Sequence, residues 1–231
     1  MNSTDKQENK KKKKKKHKSY FLYDFVKVTG FLPTLIWMRP KIIFAGKYKR
    51  KDYKGGMLVS CNHRGFTDPV MAHYVFWNRR LNCLATKDLY NTKLKNWFFG
   101  NMHCIQVDKQ NFSMDSFHAV TECLKNDKAV LIFPEGQVNH TDEMLSFKAG
   151  AVLMAHRAGK PVVPVYFPEY GKWYNRRVAL VGDPIDVRQM CGKIPTMDKL
   201  KEVNEHLRNV ELSLKELYET KYKKQKNQIK G

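Results

Sequence analysis

The stretch Cys61-Asn62-His63-Arg64-Gly65-Phe66-Thr67-Asp68-Pro69 places a histidine five positions before an aspartate. A carboxylate bonded to one imidazole nitrogen fixes the tautomer and stabilises the imidazolium. The other nitrogen is then free to take a proton from a hydroxyl. The spacing alone carries little weight, because His103 and Asp108 repeat it. Local context separates the two pairs. His103 to Val107 reads as a strand, and five residues along a strand span about 16 Å and reverse the face. His63 instead follows an apolar run, Gly56 to Ser60, and precedes another, Val70 to Trp77. Strand, turn and helix in that order put it at a sheet edge, where α/β proteins usually hold their chemistry. Asp68 reads as the N-cap of the helix and Pro69 as its first residue. At this level, a plain turn residue at 63 and a plain cap at 68 remain the alternative.

Other stretches carry weaker chemistry. Ala129 to Phe133 reads as a buried strand leading into Pro134-Glu135-Gly136-Gln137, which puts a carboxylate and a flexible backbone at the sheet edge. Glycine permits close approach of a ligand, and exposed N–H groups cradle anions. Cys104 to Val107 leads into Asp108-Lys109-Gln110, with a cation suited to a phosphate. Lys148, in Phe147-Lys148-Ala149-Gly150, stands near a helix start whose dipole it opposes, which makes it a candidate for anion binding. Cys61 as a nucleophile competes with the commoner case of a small buried thiol. No set of His, Cys and carboxylates has metal-ligand spacing, and no phosphate-loop or dinucleotide glycine pattern occurs. Neither a metal nor a cofactor is expected.

The elements that must position these residues follow from the chain's periodicity. Candidate strands are 41–45, 57–61, 81–85, 104–107, 129–133, 162–167 and 178–181. Candidate helices are 69–77, 89–99, 113–125, 150–158 and 197–223. Strands separated by helices of this length predict a single α/β domain over 40–220, with a largely parallel mixed sheet flanked by helices. In the last helix Leu200, Val203, Leu207, Val210, Leu214 and Leu217 recur at spacings of three and four, so one face packs. Pro161 and Pro164 mark the 162–167 strand as an edge strand or a strand start.

The charge is extreme, net +21 over 231 residues. Residues 1–18 read as a disordered polybasic tail with Lys10 to Lys16 unbroken, and 221–231 as a second basic tail. Such a chain is drawn to polyanions. Residues 19–39 are rich in aromatic and aliphatic residues, interrupted by Asp24, Lys27, Gly30 and Pro33. They read as two short amphipathic helices that lie on a membrane rather than cross it. A basic run beside such a segment suits an anionic bilayer. No fold-level nucleic-acid motif is present, so nucleic acid is not an expected partner. The five cysteines form no Cys-x-x-Cys, and no secretory signal is visible. Reduced thiols and a peripheral position on the cytoplasmic face of a membrane are expected.

Five blocks occur in a telling order: Asn62 to Asp68, Val107-Asp108-Lys109, Phe133-Pro134-Glu135-Gly136, Phe147 to Ala151, and Pro161-Val162-Val163-Pro164-Val165. Together they resemble the ordered blocks of the glycerolipid acyltransferases, most nearly the bacterial 1-acylglycerol-3-phosphate branch. The resemblance covers about residues 20–185. It implies an α/β acyltransferase domain behind a two-helix membrane motif. It also implies fatty acyl transfer from acyl-carrier protein or coenzyme A to the 2-hydroxyl of lysophosphatidic acid, giving phosphatidic acid. His63 and Asp68 then form the catalytic pair, and Asn62, Lys109, Glu135, Gly136 and Lys148 belong to the substrate-binding set. Three departures concern the acceptor. Lys109 stands where the family usually has arginine, which keeps the charge and loses the bidentate fork. The usual glycine of that block is absent, with His103 near its place. Glu135-Gly136 is followed by Gln137-Val138 rather than by threonine and arginine. Another lysolipid or lipid-linked acceptor, or a catalytically silent membrane-binding protein, is the alternative.

Overall fold

The structure is a computed structural model that describes residues 19–108, 113–172 and 175–223. Lys109 and the tail 1–18 lie outside the described residues, as does most of the C-terminal tail. Helix α1 (Phe21–Met38) is followed by β1 (Lys41–Phe44), β2 (Met57–Cys61), α2 (Asp68–Val75), β3 (Leu81–Thr86) and α3 (Lys93–Asn101). Then come β4 (Ile105–Val107), α4 (Met114–Lys125), β5 (Ala129–Ile132), α5 (Gly150–Ala158), β6 (Val162–Tyr166) and β7 (Val178–Val181). Helices α6 (Val187–Cys191) and α7 (Met197–Leu217) close the described chain, and α7 runs on into a π-turn, Tyr218–Lys223.

The strands form one seven-stranded sheet in the order β1-β7-β6-β2-β5-β3-β4. Every pairing is parallel except β6 with β7. The domain is therefore α/β with a mostly parallel mixed sheet, as its alternating strand and helix patterns predict. β2, buried on both faces, lies between β5 and β6 near the centre. Its side chains alternate. Leu58 packs with α4, α5 and α7, whereas Met57, Val59 and Cys61 pack with α2 and the end of α1. Helices thus cover both faces, and the C-terminal end of β2 delivers His63 to the middle of the sheet edge.

Several local expectations are corrected. The segment 19–39 forms one 18-residue helix, with Pro33 inside it. A proline there withholds a donor and crowds the preceding turn. Two hydroxyls reach the carbonyls beside this break: Thr34 Oγ1 donates to Gly30 O at 2.5 Å, and Tyr74 donates to Phe31 O at 2.6 Å. The helix is also pinned from within. Tyr23 accepts from the Leu81 N–H at 2.8 Å, Asp24 pairs with Arg80, and Lys27 Nζ donates to Trp77 O at 2.6 Å. β6 is interior rather than an edge strand. Pro164 sits between the Val162–Ile185 bridge and the β6–β7 ladder, and its carbonyl accepts from Gly182 N–H at 2.9 Å. The missing donor thus faces a break in the pairing. His103 is not in a strand. It takes a left-handed turn conformation with φ +54° and stacks on Tyr20. Asp108 pairs with Lys87. The short α6, whose Asp186 caps it through Gln189 N–H, carries too few residues for a periodic signal.

Candidate active site

His63 leaves β2 on the turn that enters α2. Its Nδ1 lies 2.7 Å from Asp68 Oδ2. Asp68 is the first residue of α2, not its cap; Thr67 holds the cap position. The carboxylate folds back over the turn and accepts the N–H groups of Arg64 at 2.6 Å and Gly65 at 2.8 Å on the same oxygen. Its other oxygen accepts from the Tyr170 hydroxyl. Asp68 is fully buried yet has four donors, the condition under which a buried carboxylate is tolerated. With Nδ1 held, the Nε2 of His63 is the nitrogen left for chemistry. The ring stacks on Phe133, centroids 4.0 Å apart, which fixes its plane.

Tyr170 has no signal in the sequence. It lies 102 residues from Asp68, beyond β6, in a stretch without periodicity. Burial, then the Asp68 charge, raises its hydroxyl far above the ordinary range, so it remains a donor. The Arg177 guanidinium lies over its ring, 4.2 Å from the centroid.

Glu135 turns inward. It is buried, and Oε1 accepts the His63 N–H at 3.3 Å while Oε2 accepts from Asn139 Nδ2 at 2.9 Å and Leu145 N–H at 3.4 Å. Asn139 N–H donates to the His63 carbonyl at 2.8 Å. The loop after β5 thus grips the backbone of residue 63 on both polar groups. Asn62 is likewise committed: its amide donates to Phe167 O at 2.9 Å and accepts from Phe167 N–H at 2.7 Å, tying the end of β2 to the end of β6. Both side chains lie behind the histidine and brace it. Beneath them Glu211 of α7, fully buried, accepts from Ser60 Oγ at 2.8 Å and from the Asn62 N–H.

Gly136 and Lys148 stand together at the front. Gly136 has φ +72°, a conformation that favours glycine, and a Cβ there would lie 2.7 Å from Lys148 Nζ, so a side chain would push the ammonium aside. Lys148 N–H donates to Pro134 O at 2.9 Å, holding the two loops in register. Among the described residues Lys148 has no carboxylate within ion-pair distance. Cys61 is buried behind the site, and burial raises its thiol well above the ordinary range, so it is no nucleophile at neutral pH.

His63, Phe66, Phe133, Gly136 and Lys148 line one cavity of about 1040 Å³. Its walls continue to Tyr23, Lys27, Phe31 and Thr34 of α1, to Pro69, Val70 and His73 of α2 and Trp77 just beyond it, and to Phe98 and Phe99 of α3. It is a mostly apolar chamber with a base and a cation at one edge, large enough for a long hydrocarbon chain.

The family model described as Acyltransferase matches residues 41–168, more than half of the chain. The 1-acyl-sn-glycerol-3-phosphate acyltransferase of Bacillus subtilis is 26% identical over 157 residues, which are 66% of this chain and 77% of that protein. The protein of the same name from Saccharomyces cerevisiae is 28% identical over 184 residues, 73% of this chain but only 57% of its relative. In fold the chain is similar to the crystal structure of the 1-acyl-sn-glycerophosphate (LPA) acyltransferase PlsC from Thermotoga maritima. The TM-score is 0.63 at 18% identity, covering 86% of this chain and 80% of that one.

Proposed function

The chain belongs to the acyltransferase family, and from that premise we propose that it transfers a fatty acyl group from a thioester to the 2-hydroxyl of 1-acylglycerol 3-phosphate. The observation that carries this reading is the His63–Asp68 pair opening onto a large apolar cavity. His63 Nε2 takes the hydroxyl proton as that oxygen attacks the thioester carbonyl. Asp68 stabilises the imidazolium that forms. The tetrahedral intermediate then collapses, the carbon–sulfur bond breaks, and the proton passes from His63 to the leaving thiolate. The products are phosphatidic acid and a free thiol carrier. General-base catalysis of this kind is worth about 10²–10⁴-fold.

Lys148 is the cation for the acceptor phosphate, and Gly136 leaves the space in which the two meet. Lys109 joins it as the second cation, in the role the family gives to arginine. The pairing of cations with an apolar chamber suits an acceptor that is both anionic and lipidic. The acyl carrier is either acyl-carrier protein or coenzyme A. The enzyme works from a membrane surface, with α1 lying in the interface. Helix α1 is long and apolar enough by length and composition to cross a bilayer. Its Asp24 and Lys27 are nonetheless spent on Arg80 and on the carbonyls of Trp77 and Arg79 in the turn before β3, which holds one side of it against the domain.

The test is a product assay with lysophosphatidic acid against lysophosphatidylcholine, lysophosphatidylethanolamine and glycerol 3-phosphate, each with both donors. Phosphatidic acid as the main product supports the reading. A preference for a zwitterionic lysolipid would replace the acceptor while leaving the chemistry of His63 intact. No acyl product from either donor would overturn it.

A further inference from the structure

Helix α3, Lys93–Asn101, buries none of its nine residues. Leu94 is 72% exposed and Trp97 56% exposed. They are three positions apart, so they share one face. Its inner side packs through Phe99 on Tyr90, centroids 5.4 Å apart, whereas nothing among the described residues covers Leu94 and Trp97. Lys93 and Lys95 lie in its first turn, where a cation opposes the helix dipole. Their charge therefore serves something outside the helix.

The position of α3 identifies what meets this face. His103, just past its end, stacks on Tyr20 at 3.8 Å and lies 3.2 Å from Ser19 O, so α3 ends where α1 begins. Helix α1 has its own exposed apolar row, Phe21, Phe25, Val28, Leu32 and Ile36. Both helices wall the same cavity, α3 through Phe98 and Phe99. A second copy of the chain is a poor occupant for the exposed face, since each copy carries a net charge of +21. An anionic bilayer matches both the charge and the apolar rows.

We infer that α3 is a second membrane-inserting element. Leu94 and Trp97 enter the hydrocarbon edge of an anionic leaflet beside α1, with Lys93 and Lys95 at the lipid phosphates. The cavity walls that the two helices share are then reached from within the leaflet. This rests on the reading that the site takes lipid substrates, but binding is measured without substrate, so failure of the chemistry leaves the test untouched.

The first measurement uses the full chain with Trp37, Trp77 and Trp173 replaced by phenylalanine, so that Trp97 alone reports. With vesicles of phosphatidylcholine and phosphatidylglycerol carrying brominated acyl chains, its emission is expected to shift to the blue and be quenched at high salt. Unquenched emission from vesicle-bound protein would overturn the proposal. The second compares wild type with L94S/W97S, whose positions lie outside the cavity. Vesicle binding at high salt is expected to fall about tenfold or more, since the two side chains lose buried apolar area. Turnover of detergent-dispersed substrate should be unchanged. Binding equal to wild type would refute the idea. So would a wild-type dimer in solution that the double variant dissociates, because the occupant would then be a second copy.

Discussion

At the residue scale the site is a histidine held from several sides. Nδ1 is held by Asp68, the N–H by Glu135, the carbonyl by Asn139 and the ring face by Phe133. Tyr170→Phe removes the donor on Asp68 Oδ1 and leaves that oxygen unpaired in a buried place. The expected result is a fall in kcat of about tenfold, roughly the loss of one hydrogen bond to a charged group, with KM for either substrate little changed. A change confined to KM would place Tyr170 in substrate binding instead. Gly136→Ala tests the anion side. A Cβ would meet Lys148 Nζ, and the left-handed conformation costs about 1–2 kcal/mol for a residue with a side chain. Acceptor KM should rise several-fold, with donor KM unaffected; equal changes in both would move Lys148 out of the acceptor site. The His63–Asp68 contact was legible in the sequence because both residues lie on one turn. The inward turn of Glu135 was not: a carboxylate after a buried strand faces solvent or backbone with equal ease, and the loop to Leu145 decides it. Tyr170 reaches Asp68 only through tertiary structure, so no local pattern announces it.

At the scale of elements, β2 carries the site and α7 supports it from beneath. Glu211 of α7 is buried against Ser60 and Asn62, and burial raises its carboxyl well above the ordinary range. Among the described residues its second oxygen has no partner. The sign of the pH effect follows. Below the unfolded-state value of about 4.3 both states are protonated, and stability is whole. Above it the unfolded chain releases the proton while the folded chain keeps it, so stability falls as pH rises. Glu211→Gln keeps an acceptor for Ser60 and lacks the titration. The variant should gain on wild type as pH rises from about 5 to about 8. Urea unfolding of both proteins at the two pH values measures it, and parallel pH dependences would show that Glu211 is not the cause. The strand and helix pattern was readable because β2, β5 and β6 are short apolar runs and α7 keeps a regular stripe. The continuous α1 was not, since Pro33 argues for a break, whereas the contacts of Tyr23, Asp24, Lys27 and Thr34 with the domain that hold the helix together are tertiary.

At the scale of the whole molecule, charge and apolar surface suit the proposed membrane partner. The tail 1–18 carries nine lysines, and each lysine near an anionic surface contributes about 1 kcal/mol, screened by salt. Deleting it should weaken binding to anionic vesicles chiefly at low salt. Replacing Phe21, Phe25 and Leu32 of α1 by serine should weaken binding at every salt concentration, because the hydrophobic term is not screened. Co-sedimentation at two ionic strengths separates the two, and a triple variant that sediments like wild type at high salt would make α1 a packing element only. In the reaction proposed above, His63 is the base. The most direct measurement is the single-turnover rate of acyl transfer to lysophosphatidic acid by wild type and His63→Ala, with circular dichroism to verify the fold. The account predicts a folded variant slowed by about 10²–10⁴-fold. A folded His63→Ala protein that transfers acyl groups at the wild-type rate would contradict it.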